Sequence, residues 1–278
     1  MLKGRKLIIA TKHKKEKVIA KHLEKSLNVN CVTEPSYDTD FLGTFTGEIE
    51  RTLSPIEAVR TKCLYAMEKF GYDLGIANEG SFGPHPAIFF IPADEEFMIF
   101  IDKINDVEII VKNISTTTNF AGRKISNTIE LDKFLAQVKF PSHGIILRTN
   151  RESNENIIKD LHTYKEVKIA FNILLDAYGE AYIETDMRAM NNPTRMKVIE
   201  QTTVKLIDAI KSKCPKCNTP GFTPIKLIQG LPCILCGLPT KSIKGEIIGC
   251  KKCAFEIENV FPKNKKWEDP QYCDYCNP

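Results

Sequence analysis

Four Cys-x-x-Cys pairs close the chain: Cys214/Cys217, Cys233/Cys236, Cys250/Cys253 and Cys273/Cys276. They hold eight of the ten cysteines, and no histidine falls among them. Each pair has the spacing of a zinc knuckle, a tight turn that presents two thiolates to one tetrahedral ion. Eight thiolates at four per ion give two all-cysteine zinc sites. With every position filled by sulfur, no coordination site stays open for water, so the metal is expected to be structural. The gaps between successive knuckles are 15, 13 and 19 residues, all compatible with ribbons. Nested pairing, with the two middle knuckles together, and sequential pairing both suit these lengths.

Disulfides are the competing chemistry. The apolar run at 7–10 is too short for a signal-peptide core, and no stretch reaches the ~20 apolar residues that span a bilayer. A cytoplasmic location is therefore expected, where paired cysteines serve metals more often than disulfides. Zinc also explains how so small a tail folds, because its apolar content is low and metal binding becomes folding energy.

Charge narrows the tail's role. From Lys211 onward there are eleven lysines and six acids, an apparent +5. Counting eight thiolates and two Zn2+ lowers this to about +1, which weakens the basic face expected of a nucleic-acid binder. Lys263, Lys265, Lys266 and Trp267 remain a local basic and aromatic patch.

A second group of candidate residues lies in the body of the chain. Residues 1–25 carry nine Lys or Arg against two Glu. Within them, Thr11, Lys12, His13 and Lys15 follow a short apolar strand and precede a helix. Amides at a helix start favour anions, so this turn suits phosphate groups. Asp38, Asp40 and Glu48 lie in a loop rich in glycine and hydroxyls whose acids suit Mg2+. Glu79 directly follows a buried-type strand and opens the rigid loop Gly80-Ser81-Phe82-Gly83-Pro84-His85-Pro86, a place for a metal ligand or general base. Arg188 and Arg195 flank the start of the last helix and could clamp a phosphate or carboxylate; a structural pair between Asp186 and arginine is the alternative.

The elements that position these residues alternate. Strands are expected at 6–10, 73–77, 87–91, 96–101, 107–111, 144–148 and 181–184. Helices are expected at 16–27, from Pro55 to Gly71, at 128–138, at 164–178 and from Pro193 to about 212. The pattern predicts an α/β fold, a mixed sheet flanked by helices. We expect two domains, 1–212 for nucleotide binding and 213–278 as a double zinc ribbon.

Two resemblances add to this reading. The loop from Gly80 to Pro86, Asp186-Met187-Arg188-Ala189, Asn192-Pro193-Thr194-Arg195-Met196, Gly230-Leu231-Pro232-Cys233 and the final Cys273-Asp274-Tyr275-Cys276-Asn277-Pro278 together resemble an uncharacterised bacterial and phage-type family. That family joins an α/β domain to a cysteine-rich tail. Residues 5 to about 105 are more weakly similar to the inosine triphosphate pyrophosphatase and Maf-like nucleotide hydrolases. The similarity runs through Ala10-Thr11-Lys12-His13, Val59-Arg60-Thr61-Lys62-Cys63 and Ala77-Asn78-Glu79-Gly80. It implies a Mg2+-dependent nucleotide phosphohydrolase, with Thr11, Lys12, Lys15 and Lys62 on phosphates and Glu79 on metal or water. This chain has His13 where those enzymes have asparagine, and a single acid at the second turn. The alternative is an adaptor that binds nucleic acid or protein without turnover.

Overall fold

The computed structural model describes residues 2–37, 52–152 and 156–278. The chain divides into two compact units, Met1–Ile207 and Asp208–Pro278.

In the first unit, β1 (Lys6–Ala10), α1 (Glu16–Leu27), β2 (Asn30–Val32), α2 (Pro55–Phe70) and β3 (Leu74–Pro84) form the parallel part of a mixed sheet. The strands β4 (Pro92–Asp102) and β5 (Val107–Ser115) extend it antiparallel, in the order β2-β1-β3-β4-β5. Apolar residues at successive positions of β1 and of β4 are buried, as a strand covered on both faces requires. One face carries Ile8, Ala10, Ala77, Ile99 and Ile101 against Val59, Cys63, Ala66 and Met67 of α2. That helix begins at a capping box of Ser54 and Glu57 with Pro55 in its first turn, and ends at Gly71 with φ 73°.

A second, antiparallel sheet follows, in the order β6-β8-β7: β6 (Gly122–Ile125), β7 (Ile145–Arg148) and β8 (Ala181–Thr185). Its core joins Leu131, Phe134 and Leu135 of α3 (Thr128–Gln137) to Val167, Phe171 and Leu174 of α4 (Tyr164–Tyr178). The last helix is α5 (Pro193–Lys211).

The mixed α/β architecture matches expectation, with local corrections. Residues 87–91 are not a strand; they form the tip of a long β3–β4 hairpin, held by His85 N–H to Ile91 O at 2.8 Å. The strand expected to end at Ala77 runs on to Pro84, because the polar residues after Ala77 pair fully with β4. β2, β6 and the separate second sheet were not anticipated. The strands β2 and β6 have three and four residues, too short to show a period.

The second unit is built on β9 (Thr223–Gln229), β10 (Ile243–Gly249) and β11 (Glu256–Val260), antiparallel in the order β11-β10-β9. Its small buried cluster is Cys214, Phe222 and Cys250, with Ile248, Cys253 and Phe255 packed against it. Among the described residues, no helix is long and apolar enough to cross a membrane.

Candidate functional site

β1 ends at Ala10, opposite Ala77, while β3 runs on past it to Pro84. The next carbonyl of β3, that of Asn78, therefore lies past the end of β1. Two buried lysines supply its donors, Lys15 Nζ at 3.5 Å and Lys62 Nζ at 3.3 Å. Lys62 also donates to Glu79, and Lys15 donates to Asn78 Oδ1 at 3.0 Å. The Asn78 amide passes the network on to Glu96 Oε2 at 2.9 Å, and Arg195 Nε donates to Glu96 Oε1 at 2.7 Å.

Alternation along the strands explains how the cluster straddles the sheet. Glu79 shares the α2 face with Ala77, whereas Asn78, Gly80, Asp94 and Glu96 point to the other face. Arg195, in the first turns of α5, reaches that other face, is 1% exposed and lies 5.0 Å from the Phe82 ring centroid. Gly80 sits opposite Glu96 because nothing larger fits. A Cβ there would come within 2.4 Å of Arg195 Nη2 and 2.9 Å of Glu96 Oε1.

Asp94, two residues before Glu96 on the same face, is 1% exposed, and among the described residues neither of its carboxylate oxygens has a hydrogen-bond partner. Burial, reinforced by Glu96, pushes it up to about 8. Lys15 moves oppositely: burial, then Arg195 and Lys62, push it down to about 7. Opposed shifts in adjacent buried groups are typical of sites that move protons, and also occur in structural ion-pair networks.

Beside this cluster, Thr11, Lys12, His13, Lys14, Ser36 and Tyr37 help to line a cleft of about 460 Å3. His13 and Lys14 take left-handed backbone angles, φ 67° and 61°, before α1 begins without a side-chain cap. The Tyr37 hydroxyl donates to Lys62 O at 2.8 Å, which ties the cleft wall to α2.

Of the residues singled out from the sequence, Lys15, Lys62, Glu79 and Arg195 thus join one network, and Thr11, Lys12 and His13 share the cleft. Arg188 stands apart, paired with Asp186 at 2.7 Å and Asp160 at 2.8 Å. Arg195 is engaged by a buried carboxylate, Glu96, so the two arginines face separate acids and do not form one clamp. Asp38, Asp40 and Glu48 lie outside the described residues. Sequence reasoning missed Asn78, Asp94 and Glu96. The available signal was acids continuing the period-2 face of Met98 and Phe100 inside an otherwise apolar strand. Among the described residues, only two groups converge as metal ligands, and both are cysteines. The acids of the cluster do not form a cage for Mg2+, so no chemical step is assigned to that ion.

The cysteine groups are Cys214, Cys217, Cys250 and Cys253, and Cys233, Cys236, Cys273 and Cys276. Sulfurs from different knuckles lie 3.6 Å apart at Cys214–Cys253, Cys217–Cys250 and Cys236–Cys273, and 3.9 Å apart at Cys233–Cys276. Four ligands at a Zn–S distance of ~2.3 Å on a tetrahedron stand roughly 3.8 Å apart, so the donor sets fit zinc. The knuckles repeat one geometry. The N–H four residues on bonds the first cysteine's carbonyl at Asn218, Gly237, Ala254 and Asn277, at 2.8–3.0 Å.

The pairing is neither nested nor sequential: first knuckle with third, second with fourth. The strand directions dictate this. The first knuckle precedes β9 and the third follows β10, its antiparallel neighbour, so both meet at one end of the sheet. The second knuckle, between β9 and β10, and the fourth, after β11, meet at the other end.

These features define an α/β protein carrying a twin tetrathiolate unit. The chain belongs to the family described as a domain of unknown function, DUF6671, which matches residues 62–278. No curated protein matches it, and neither comparison links it to the nucleotide pyrophosphatases. The matched region holds Lys62, Glu79, Asp94, Glu96, Arg195 and all eight knuckle cysteines. It begins inside α2, although β1 is hydrogen-bonded between β2 and β3 and belongs to the same structural unit.

Proposed function

We propose that the first unit binds a nucleotide through its phosphates at the carboxyl end of β1, beside Asn78 and Glu79 of β3, and hydrolyses it, and that the second unit holds two structural zinc ions. The observation that carries the first reading is the convergence of Lys15 and Lys62 on the Asn78 carbonyl, beside a cleft lined by Thr11, Lys12 and His13. Ligands of open α/β sheets sit beyond the strand carboxyl ends, and this end is cationic and rich in hydroxyls. Thr11, Lys12 and His13 would contact phosphate, with Lys15 and Lys62 adding positive potential from behind. Glu79, oriented by Lys62, is the acid placed to bind or activate water. Sulfur spacing supports the zinc reading.

The test is a panel of nucleoside mono-, di- and triphosphates, with and without Mg2+, added to zinc-loaded protein. Melting temperature and release of phosphate or pyrophosphate are followed. Saturable stabilisation that Lys12→Ala weakens, and turnover that Glu79→Gln abolishes while binding persists, are expected. A panel that neither stabilises the protein nor is hydrolysed overturns the proposal.

A further inference from the structure

The two ends of the zinc-unit sheet are unlike. At the end with the first and third knuckles, the residues between the cysteines are Pro215-Lys216 and Lys251-Lys252. The other end carries three exposed rings. Trp267, Tyr272 and Tyr275 are 52%, 60% and 74% exposed, and all come from the stretch that wraps the second cysteine group. The Glu268 carbonyl accepts from Ile234 N–H at 3.0 Å, and Glu268 N–H donates to Pro232 O at 2.8 Å, so this stretch is fixed to the second knuckle.

At this end of the sheet lies a cleft of about 370 Å3, lined in part by Lys241, Lys263 and Lys265. Trp267 lies in the chain between Lys265 and Glu268, two lining residues. At the other side, the lining residue Lys241 bonds Asp274, next to Tyr275, at 2.8 Å. The chain thus sets Trp267 next to one lining residue, Glu268, and Tyr275 next to Asp274, the partner of another. Lys265 is paired with Glu268, whose carboxyl it holds down to about 2.

We propose that this face binds single-stranded nucleic acid, with phosphates along the lysine cleft and bases stacked on Trp267 and Tyr275. Lysines that follow a backbone, with exposed rings beside them, are what sequence-tolerant single-strand binding requires, since every base has a π face. The near-neutral charge of the whole unit restricts contact to this cleft and predicts modest, salt-sensitive affinity. A protein partner would instead use the exposed Ile234 and Leu235 of the second knuckle, which do not line the cleft.

Trp267 is the chain's single tryptophan, so its fluorescence reports this face alone. Zinc-loaded full-length protein is titrated with oligothymidylate, oligouridylate and a DNA duplex, with labelled-oligonucleotide anisotropy alongside. Saturable quenching by the single strands is expected, with weaker binding of the duplex. Three phosphate contacts give a log K against log salt slope of about −2, and Lys263→Ala reduces it by about 0.7. Tyr275→Leu weakens binding about tenfold while the zinc content stays at two per chain. Tryptophan emission unmoved by either oligonucleotide overturns the proposal and leaves the face to a protein partner. Quenching that persists unchanged in both variants overturns it equally.

Discussion

The two units solve opposite problems. The first has a large apolar core on two sheets and buries six charged groups near one strand end: Lys15, Lys62, Glu79, Asp94, Glu96 and Arg195. Lys62 is paired with Glu79 and Arg195 with Glu96, and the core supplies the stability that burying charge does not. The second unit has a buried cluster of three residues, two of them cysteines, and its outer strands β9 and β11 are largely exposed. There the charged groups themselves hold the fold, provided metal joins them. The first unit sets a buried ion network inside an apolar core. In the second, metal–thiolate bonds would take the place of a core.

The contrast can be broken most severely by removing metal. A strong chelator is expected to unfold the second unit alone, because structural zinc supplies apparent binding energy of ~10–16 kcal/mol in model peptides. Limited proteolysis would show 208–278 digested while the first unit survives. Loss of both units together, or of neither, contradicts the comparison. Next in size is Arg195→Met, which leaves Glu96 buried without its cation, at a cost of about 3–5 kcal/mol. Urea unfolding should register that loss with zinc content unchanged. Gly80→Ala places a methyl against the same pair and should cost about 1–3 kcal/mol.

The smallest effect is a slope. Asp94 is raised to about 8 when folded, so between its unfolded value near 4 and pH 8 the folded state binds the extra proton. Its contribution is complete at low pH and lost as pH rises. Lys15, lowered to about 7, acts the other way above that pH, since the unfolded chain then binds the extra proton. Stability of the first unit should therefore fall from pH 5 to 7, and Asp94→Asn should flatten that fall. A variant with the same slope as the parent would remove Asp94 from the network's titration.

Legibility in the sequence followed the same division. Each knuckle was readable because both of its ligands lie within four residues, and helix ends were readable from local chemistry such as Ser54-Pro55 and Gly179. Their combination was not, since the partner of Cys214 is fixed by the direction of β10, a sheet-level property. Glu79 and the lysines stood out by position after a strand. Glu96 did not, because its partner Arg195 is 99 residues away and the segment around Asp94 reads equally well as a turn. Arg188 and Arg195 looked alike in sequence and face different acids in the fold.

The interleaved knuckles also bear on how the chain is made. As synthesis proceeds, Cys214, Cys217, Cys233 and Cys236 emerge first, four thiolates belonging half to each site. They are enough to capture one ion in a pairing that the finished protein does not contain. A cut anywhere between Cys236 and Cys250 leaves each fragment with the same mismatched set. The unit therefore cannot be assembled half at a time. Its first correct site closes only with Cys253, and a metal ion bound before then must exchange two of its four thiolates.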